Sequence, residues 1–390
     1  MPTLATSPAM GKQAPCARSC LGACCLPGAM LPVYLYGSKT KPQSKRVRSF
    51  GELHKLLDME VAVEGGEDPS HSFPSSCPNM FGNLLLTQLI PGDYGFVAQL
   101  NEGRYSKKRL TEFRVDQVLQ DFDPKKFNFR KVGQDEVLFG FQESDDDKTS
   151  YLEAGPRRNS PSLILINVSP IEYGHVLLVP RVADCIPQRL SPDTFLEALI
   201  IAIEADSPFF RVGYNSLGAF ATVNHLHFQA YYLMKPFAVE RAPTMEIATG
   251  GHDHSLAVHE LKDYPVRGLV LELGDSLEEL ARVVARTAQR LQDRNIPFNI
   301  FIADKGARVF LYPQCFAERQ ANNLVPEDLM EMQVNPAIWE ISGHIVLKRR
   351  EDYENITEAK TWRLLAEVSL DEEQFQEVKA ICLEELESLL

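Results

Sequence analysis

The chain has 390 residues, 44% hydrophobic and 24% charged, which is ordinary for a soluble globular protein and long enough for a large core or two domains. Its formal charge of -13 argues against nucleic acid as the main partner, because phosphate backbones attract net basic surfaces; a small phosphorylated ligand needs only a local donor-rich pocket. No apolar run approaches the length of a membrane span, so no membrane partner is expected. The first acidic residue is Glu52, and Lys12, Arg18, Lys39, Lys41, Lys45, Arg46 and Arg48 make the segment before it basic. Residues 1–80 read as a disordered tail and linker, with organellar targeting as the alternative to a plain tail. Cys16, Cys20, Cys24 and Cys25 crowd this tail without a CxxC pair or a nearby His. Cys77, Cys185, Cys315 and Cys382 are scattered singly, as in a reduced intracellular enzyme, which points to the cytoplasm, with the nucleus open as well.

A folded region is expected to begin near Phe81. Residues 94–100 read as a strand closed by the turn Asn101-Glu102-Gly103, and residues 144–148 as an exposed acidic loop. The apolar runs 163–168 and 176–179, joined by a long turn, predict an antiparallel hairpin. Ser191 at the cap and Pro192 at the first helical position open a helix with Phe195, Leu196, Leu199, Ile200 and Ile203 as its apolar face. Residues 223–233 are rich in β-branched and aromatic side chains, without Gly or Pro, and read as extended. A connecting loop is expected over 238–261. Ser276 and Glu279 form a capping box for a helix that presents Leu277, Leu280, Val283, Val284, Ala288 and Leu291. Residues 298–303 and 309–312 make a hairpin, 345–347 another strand, and Ser369 with Glu372 caps a last helix. The pattern yields two similar α+β halves, 81–237 and 262–390.

In a strand, residues two apart share a face, so His225, His227 and Gln229 are expected to point one way and Leu226 and Phe228 the other. Such a line suits a phosphate ester: an imidazole can attack phosphorus, and an amide can donate to its oxygens. Two other readings use the same residues. One is a solvated polar face; the other is a zinc site, to which His252, His254 and His259 add three candidate ligands. The approach, Gly213 to Thr222, favours the phosphate reading, because its small residues, amides and hydroxyls let a backbone come close to a ligand.

Asn167-Val168-Ser169-Pro170, Gly174-His175-Val176-Leu177-Leu178-Val179-Pro180, Gly213-Tyr214-Asn215 and His225-x-His227-x-Gln229 together resemble the histidine-triad superfamily. Gln at the last motif position looks like its nucleotidyltransferase and phosphorylase branch. Over residues 90–386 the chain resembles the GDP-L-galactose phosphorylases of plants and algae. That stretch includes residues 94–104, Lys126-Phe127-Asn128-Phe129 and Asn335-Pro336-Ala337-Ile338-Trp339-Glu340. Animal GDP-D-glucose phosphorylases share many of these blocks. The resemblance implies an α+β fold, histidine-triad-like and galactose-1-phosphate uridylyltransferase-like, with antiparallel sheets, packed helices and two related halves. It implies a GDP-hexose, GDP-L-galactose or GDP-D-glucose, and inorganic phosphate as partners, with no cofactor and no metal. A homodimer and a pseudo-dimer within one chain both satisfy the pattern.

By this resemblance His227 is the nucleophile, expelling a hexose 1-phosphate and holding GMP as a phosphoramidate until phosphate removes it as GDP, with ping-pong kinetics. An imidazole near its unperturbed pKa of about 6.5 is largely neutral at cytosolic pH. The strand at His225 is expected to supply the backbone carbonyl that pins the ring of His227, while the His225 side chain, counted with the catalytic set, supports either the fold or the phosphate; Gln229 is expected to donate to the phosphate oxygens. Asn215 and Thr222 are expected to contact phosphate, each with a turn or capping role as its alternative. His175 is either structural or catalytic, and Arg104, Lys107, Lys108 and Lys131 are cations without an assigned role. A catalytically idle guanine-nucleotide sensor on the same fold is the rival of another class.

Overall fold

Ser191 accepts a hydrogen bond from the Thr194 N–H with Pro192 beside it, and the helix they open, α1, runs Pro192–Ala205 as its sequence predicts. The fold is that of a computed structural model and is described for residues 31–37, 86–104, 109, 111–145, 149–152, 160–252 and 255–389. Strands β1 (Val33–Tyr36), β2 (Leu86–Leu89) and β3 (Val97–Leu100) come first. Next are β4 (Val137–Glu143), β5 (Ser150–Leu152), β6 (Ser162–Ile166) and β7 (Val176–Val179). They precede α1, and β8 (Phe210–Asn215) and β9 (Phe228–Tyr232) follow it. The pattern then returns. β10 (Thr244–Gly250), β11 (Leu256–Leu261) and β12 (Leu269–Glu272) lead into α2 (Leu277–Asp293). β13 (Phe298–Ala303) and β14 (Arg308–Pro313) lead out of it. The chain closes with α3 (Phe316–Ala321), α4 (Glu327–Met330), α5 (Ile338–Ser342), β15 (His344–Leu347), α6 (Arg350–Asn355), α7 (Glu358–Ala366) and α8 (Glu372–Glu387).

The main sheet has the order β10-β11-β12-β14-β13-β8-β9-β7-β6-β4-β1-β5. Its centre is the antiparallel pair β8–β13, with Asn215 opposite Asn299. Outward from that seam, β8-β9-β7-β6-β4 and β13-β14-β12-β11-β10 follow the same order, each with its helix before the central strand. The two halves are therefore topological repeats fused into one continuous α+β sheet. Pairing within both is antiparallel; the parallel pairs are β1 with β4 and β15 with β3.

Because successive strand residues face opposite sides, the sheet buries two apolar surfaces. On one, Leu178, Val212, Phe228 and Ile300 pack with Leu199 of α1, Val283 and Ala288 of α2, and Phe375 and Val378 of α8. Fully burying one such side chain stabilises by roughly 1.5–3 kcal/mol. On the other, Tyr231, Phe301 and Phe310 lie under Ile338 and Trp339 of α5 and the small sheet β15-β3-β2. A further cluster of Phe129, Leu165, Leu177, Val179 and Val223 covers the rest of that second face.

The structure departs from the sequence reading at several elements. Residues 33–36, placed in a tail, form β1, which inserts between β4 and β5 and buries Tyr34 and Tyr36 on Phe141. Val-Tyr-Leu-Tyr is a strong strand former, but four residues flanked by Pro32 and a basic stretch give too short a signal. Residues 1–30 and 38–80, with Cys16, Cys20, Cys24, Cys25 and Cys77, lie outside the described residues, as do Phe81, Lys107, Lys108, His254 and residues 146–148. The stretch 238–261 is not a loop but carries the β10–β11 hairpin, whose half-exposed edge strand has the polar composition of a loop. The extended run expected from 223 pairs only from Phe228 onward. The last helix is capped by Asp371, since the Ser369 hydroxyl donates to the Pro265 carbonyl and accepts from the Arg267 N–H. At α2, Ser276 caps as expected, but Glu279 leaves the box open and accepts from the His252 N–H instead.

Candidate active site

His227 sits one residue before β9, where regular pairing has not begun. Its Nδ1 is 2.8 Å from the His225 carbonyl oxygen. A carbonyl only accepts, so Nδ1 carries the proton and Nε2 keeps the lone pair. Burial pulls the ring's pKa down to about 4; Arg109 acts in the same direction and the bond to the His225 carbonyl opposes them. The neutral ring lines a cavity on the second face of the sheet. The ring of His225 does not line it. Its Nδ1 accepts from the Phe129 N–H at 3.1 Å, and it is packed among Phe122 and Phe129. Burial and then the neighbouring His227 lower its pKa to about 3. Its Nε2 has no partner in hydrogen-bonding geometry, although the Val182 backbone is near enough to favour the charged form slightly. His225 thus serves the site through its carbonyl.

Gln229 lines the same cavity from β9. Its Oε1 accepts from Trp339 Nε1 at 3.3 Å and lies 3.2 Å from His175 Nε2. His175 Nδ1 accepts from the Ile171 N–H at 2.9 Å, so its Nε2 holds the proton and donates to Gln229. Burial holds His175 neutral, with a pKa of about 3. Asn167 Nδ2 also lies 2.9 Å from His175 Nε2, but both nitrogens carry hydrogen and Asn167 Oδ1 is engaged by the Ser169 N–H, so that contact is not a hydrogen bond. With two donors on its oxygen, the Gln229 amide has one orientation, NH2 toward the cavity.

Asn215 repeats the arrangement from β8. Its Oδ1 accepts from Asn299 Nδ2 at 2.6 Å and from the Ile338 N–H at 3.0 Å. Asn299 is fixed in turn, since its Nδ2 donates to the Ala219 carbonyl at 2.9 Å and its Oδ1 accepts from Gln314 Nε2. The Asn215 NH2 is left for the cavity that the residue lines. Gly213 admits α5 to this position: a Cβ there would lie 2.7 Å from Ile338 Cγ2 and 3.1 Å from Trp339 Cη2.

Thr222 lines the cavity, as does Arg104, whose Nε donates to the Ser169 carbonyl at 3.2 Å. Burial lowers the pKa of Arg104, and the Glu340 carboxylate opposes that fall. Lys131 is elsewhere, its ammonium on the carbonyls of Lys125 and Lys126. Arg109, which is paired with Glu136 at 2.6 Å, and Lys348, neither singled out in the sequence, add two more cations. Glu340 is the one acidic side chain among the described lining residues. A chain with a formal charge of -13 thus carries a locally cationic cavity with neutral amide donors and a neutral imidazole, an environment for phosphate esters. Phe129, Leu177, Val223 and Trp339 supply apolar wall. Among the described residues no group of three or more His, Cys, Asp and Glu is placed to hold a metal ion; His259 lies 3.6 Å from Glu272 on the far half of the sheet. No helix among them is long and apolar enough to cross a membrane.

Comparison with known proteins matches residues 83–231 to the GDPGP1-like N-terminal domain and residues 238–389 to the GDPGP1-like C-terminal domain. The chain is 53% identical over 371 residues to GDP-L-galactose phosphorylase 1 of Arabidopsis thaliana, covering 95% of this chain and 83% of that one. It is 36% identical over 315 residues to GDP-D-glucose phosphorylase 1 of Homo sapiens, covering 76% of each. Among solved structures, the yeast Ap4A phosphorylase Apa2 superposes with a TM-score of 0.46 at 15% identity, covering 74% of this chain and 88% of that one.

Proposed function

The chain belongs to the GDPGP1-like family, and we propose that it is a GDP-hexose phosphorylase that converts GDP-L-galactose and phosphate to L-galactose 1-phosphate and GDP, in the route to L-ascorbate. The observation that carries this reading is the neutral His227, its Nε2 lone pair fixed by the Nδ1 bond to the His225 carbonyl, in a cavity of amide and cationic donors. The higher identity to the Arabidopsis relative than to the human one supports L-galactose over D-glucose.

In the first step Nε2 of His227 attacks the α-phosphorus and a P–N bond forms. The P–O bond to the β-phosphate breaks, and L-galactose 1-phosphate leaves with the bonding pair. Charge on the transferring group's non-bridging oxygens meets the NH2 groups of Gln229 and Asn215, while Arg104, Arg109 and Lys348 offset the phosphates. As the P–N bond forms the imidazole becomes cationic, and the His225 carbonyl on Nδ1–H stabilises it. In the second step an oxygen of inorganic phosphate attacks the same phosphorus, the P–N bond breaks, and GDP leaves. Splitting one displacement into two predicts ping-pong kinetics. Thr222 completes the phosphate end of the cavity. The free thiols of Cys185, Cys315 and Cys382 among the described residues support a reducing compartment such as the cytoplasm.

The test is phosphate-dependent GDP release from GDP-L-galactose and GDP-D-glucose side by side, each against His227→Asn. The expected outcome is turnover favouring GDP-L-galactose, abolished by the substitution, with an acid-labile GMP adduct on the wild type alone. Preference for GDP-D-glucose would keep the chemistry and change the sugar. Binding of GDP without turnover of either sugar would refute the enzyme reading.

A further inference from the structure

Continuing the β8–β9 register two residues beyond Gly213 and Gln229 sets Asn215 opposite His227. The strands do not pair there, because the side-chain amide of Gln188 stands between them. Its Oε1 accepts from the His227 N–H at 3.0 Å, and its Nε2 donates to the His227 carbonyl at 3.1 Å and to the Asn215 carbonyl at 2.9 Å. A side chain thus takes the place of a peptide group in the ladder, with both amide hydrogens in use.

Gln188 is 1% exposed and is itself held from two directions. Its N–H donates to Asn224 Oδ1 at 2.9 Å. Its carbonyl accepts from the Tyr214 hydroxyl at 2.9 Å and from Gln292 Nε2, on α2 of the other half, at 2.8 Å. Next to it the Ile186 carbonyl accepts from the Leu226 N–H at 2.8 Å, so the segment before α1 runs beside the approach to His227 like an extra strand. Many buried amides serve only the fold. All three side-chain bonds of this one, however, fall on the backbones of two cavity residues, the candidate nucleophile and the Asn215 donor.

We infer that Gln188 is a positioning residue for group transfer, a wedge that sets the separation of His227 and Asn215 so that the Nε2 lone pair and the Asn215 NH2 meet one phosphoryl group. It touches no substrate. The inference rests on the phosphorolysis reading above.

Two variants test it. Gln188→Met has similar volume and none of the three bonds; Gln188→Glu keeps the acceptor for the His227 N–H and loses both donors. Each is compared with the wild type for kcat and KM in phosphate-dependent GDP release, for GDP affinity by calorimetry, and for Tm. In both, kcat is expected to fall on the order of 100-fold, the effect of a misplacement of about 1 Å, while GDP affinity stays within about threefold. A kcat near the wild-type value overturns the inference. So does a parallel loss of kcat and GDP affinity, or failure of both variants to fold, since either marks a residue that serves only the fold. Failure of the reaction reading itself is separate: it appears as an inactive wild type before any substitution at 188.

Discussion

Trp339 Nε1 donates to Gln229 Oε1 at 3.3 Å, so a helix of the second half decides which end of an amide in the first half faces the cavity. His175 shares that oxygen, and the two donors together hold the NH2 toward the cavity. Trp339→Phe keeps the ring packed on Tyr231 while removing the N–H. The expected result is a fall in kcat of about tenfold, roughly 1.4 kcal/mol and the size of one net hydrogen bond, together with a lower Tm because a smaller ring fills a fully buried site. Steady-state rates and a melting curve check this; an unaltered kcat would mean that His175 alone suffices.

In the proposed reaction Gln229 would donate to the phosphoryl oxygens through a neutral amide that is not an acid. Replacing it by His introduces a group that can titrate and assist water. Gln229→His is therefore expected to raise hydrolysis to GMP relative to phosphorolysis to GDP, read as the GMP-to-GDP product ratio with and without phosphate. An unchanged ratio would show that the neutrality of this position does not control water. Gln229→Glu, which sets a carboxylate against phosphate oxygens, should cost at least about 100-fold in kcat.

His175, His225 and His344 are buried with pKa values lowered to about 3, and His227 to about 4. In the unfolded chain each titrates near about 6.5. Above that value both states are neutral and these residues add no pH dependence. As pH falls from about 6.5 toward the folded values, the unfolded state binds protons that the native state excludes, and stability drops by up to about 1.4 kcal/mol per pH unit for each His. Denaturation midpoints between about pH 8 and about pH 5 should show this decline. On the guanylylation step, which excludes the titration of inorganic phosphate, kcat/KM should stay flat through about pH 6.5. An inflection there in folded protein would mean that His227 titrates as an open imidazole.

Asn299→Ala removes one of the two donors on Asn215 Oδ1 and strands the Gln314 amide. The expected destabilisation is about 1–3 kcal/mol by denaturant titration, with a loss of activity because the Asn215 amide is then held by the Ile338 N–H alone. Asn215→Asp keeps an acceptor for Asn299 and Ile338 but faces the cavity with negative charge. Its kcat/KM should fall about 100- to 1000-fold, well beyond any change in stability. Equal losses of activity and stability would make Asn215 a fold residue only.

Local signals placed much of this protein correctly. The Ser191-Pro192 and Ser276 caps and the hairpins at β6–β7 and β13–β14 lie where caps and short-range periodicity put them. The blocks 94–104, 126–129 and 335–340, which carried the family resemblance, converge on one cavity through Arg104, Phe129 and Trp339. Strands β1 and β10 were illegible because an edge or four-residue strand differs little from a loop in composition. Gln188 was illegible for another reason: a Gln in an irregular segment gives no sign that its amide will enter a ladder formed elsewhere.

By itself the sequence determined which groups could do chemistry, since His225-x-His227-x-Gln229 and its approach are properties of adjacent residues. Only the tertiary structure decided how they are set. The Gln229 amide is oriented by a residue 110 positions away, Asn215 by residues 84 and 123 away, and the cationic lining by Arg104, Arg109 and Lys348 from separate segments. Proton position and amide orientation are fixed by whichever donors and acceptors close the remaining bonds, and here the sheet seam and α5 bring those partners in from distant parts of the chain.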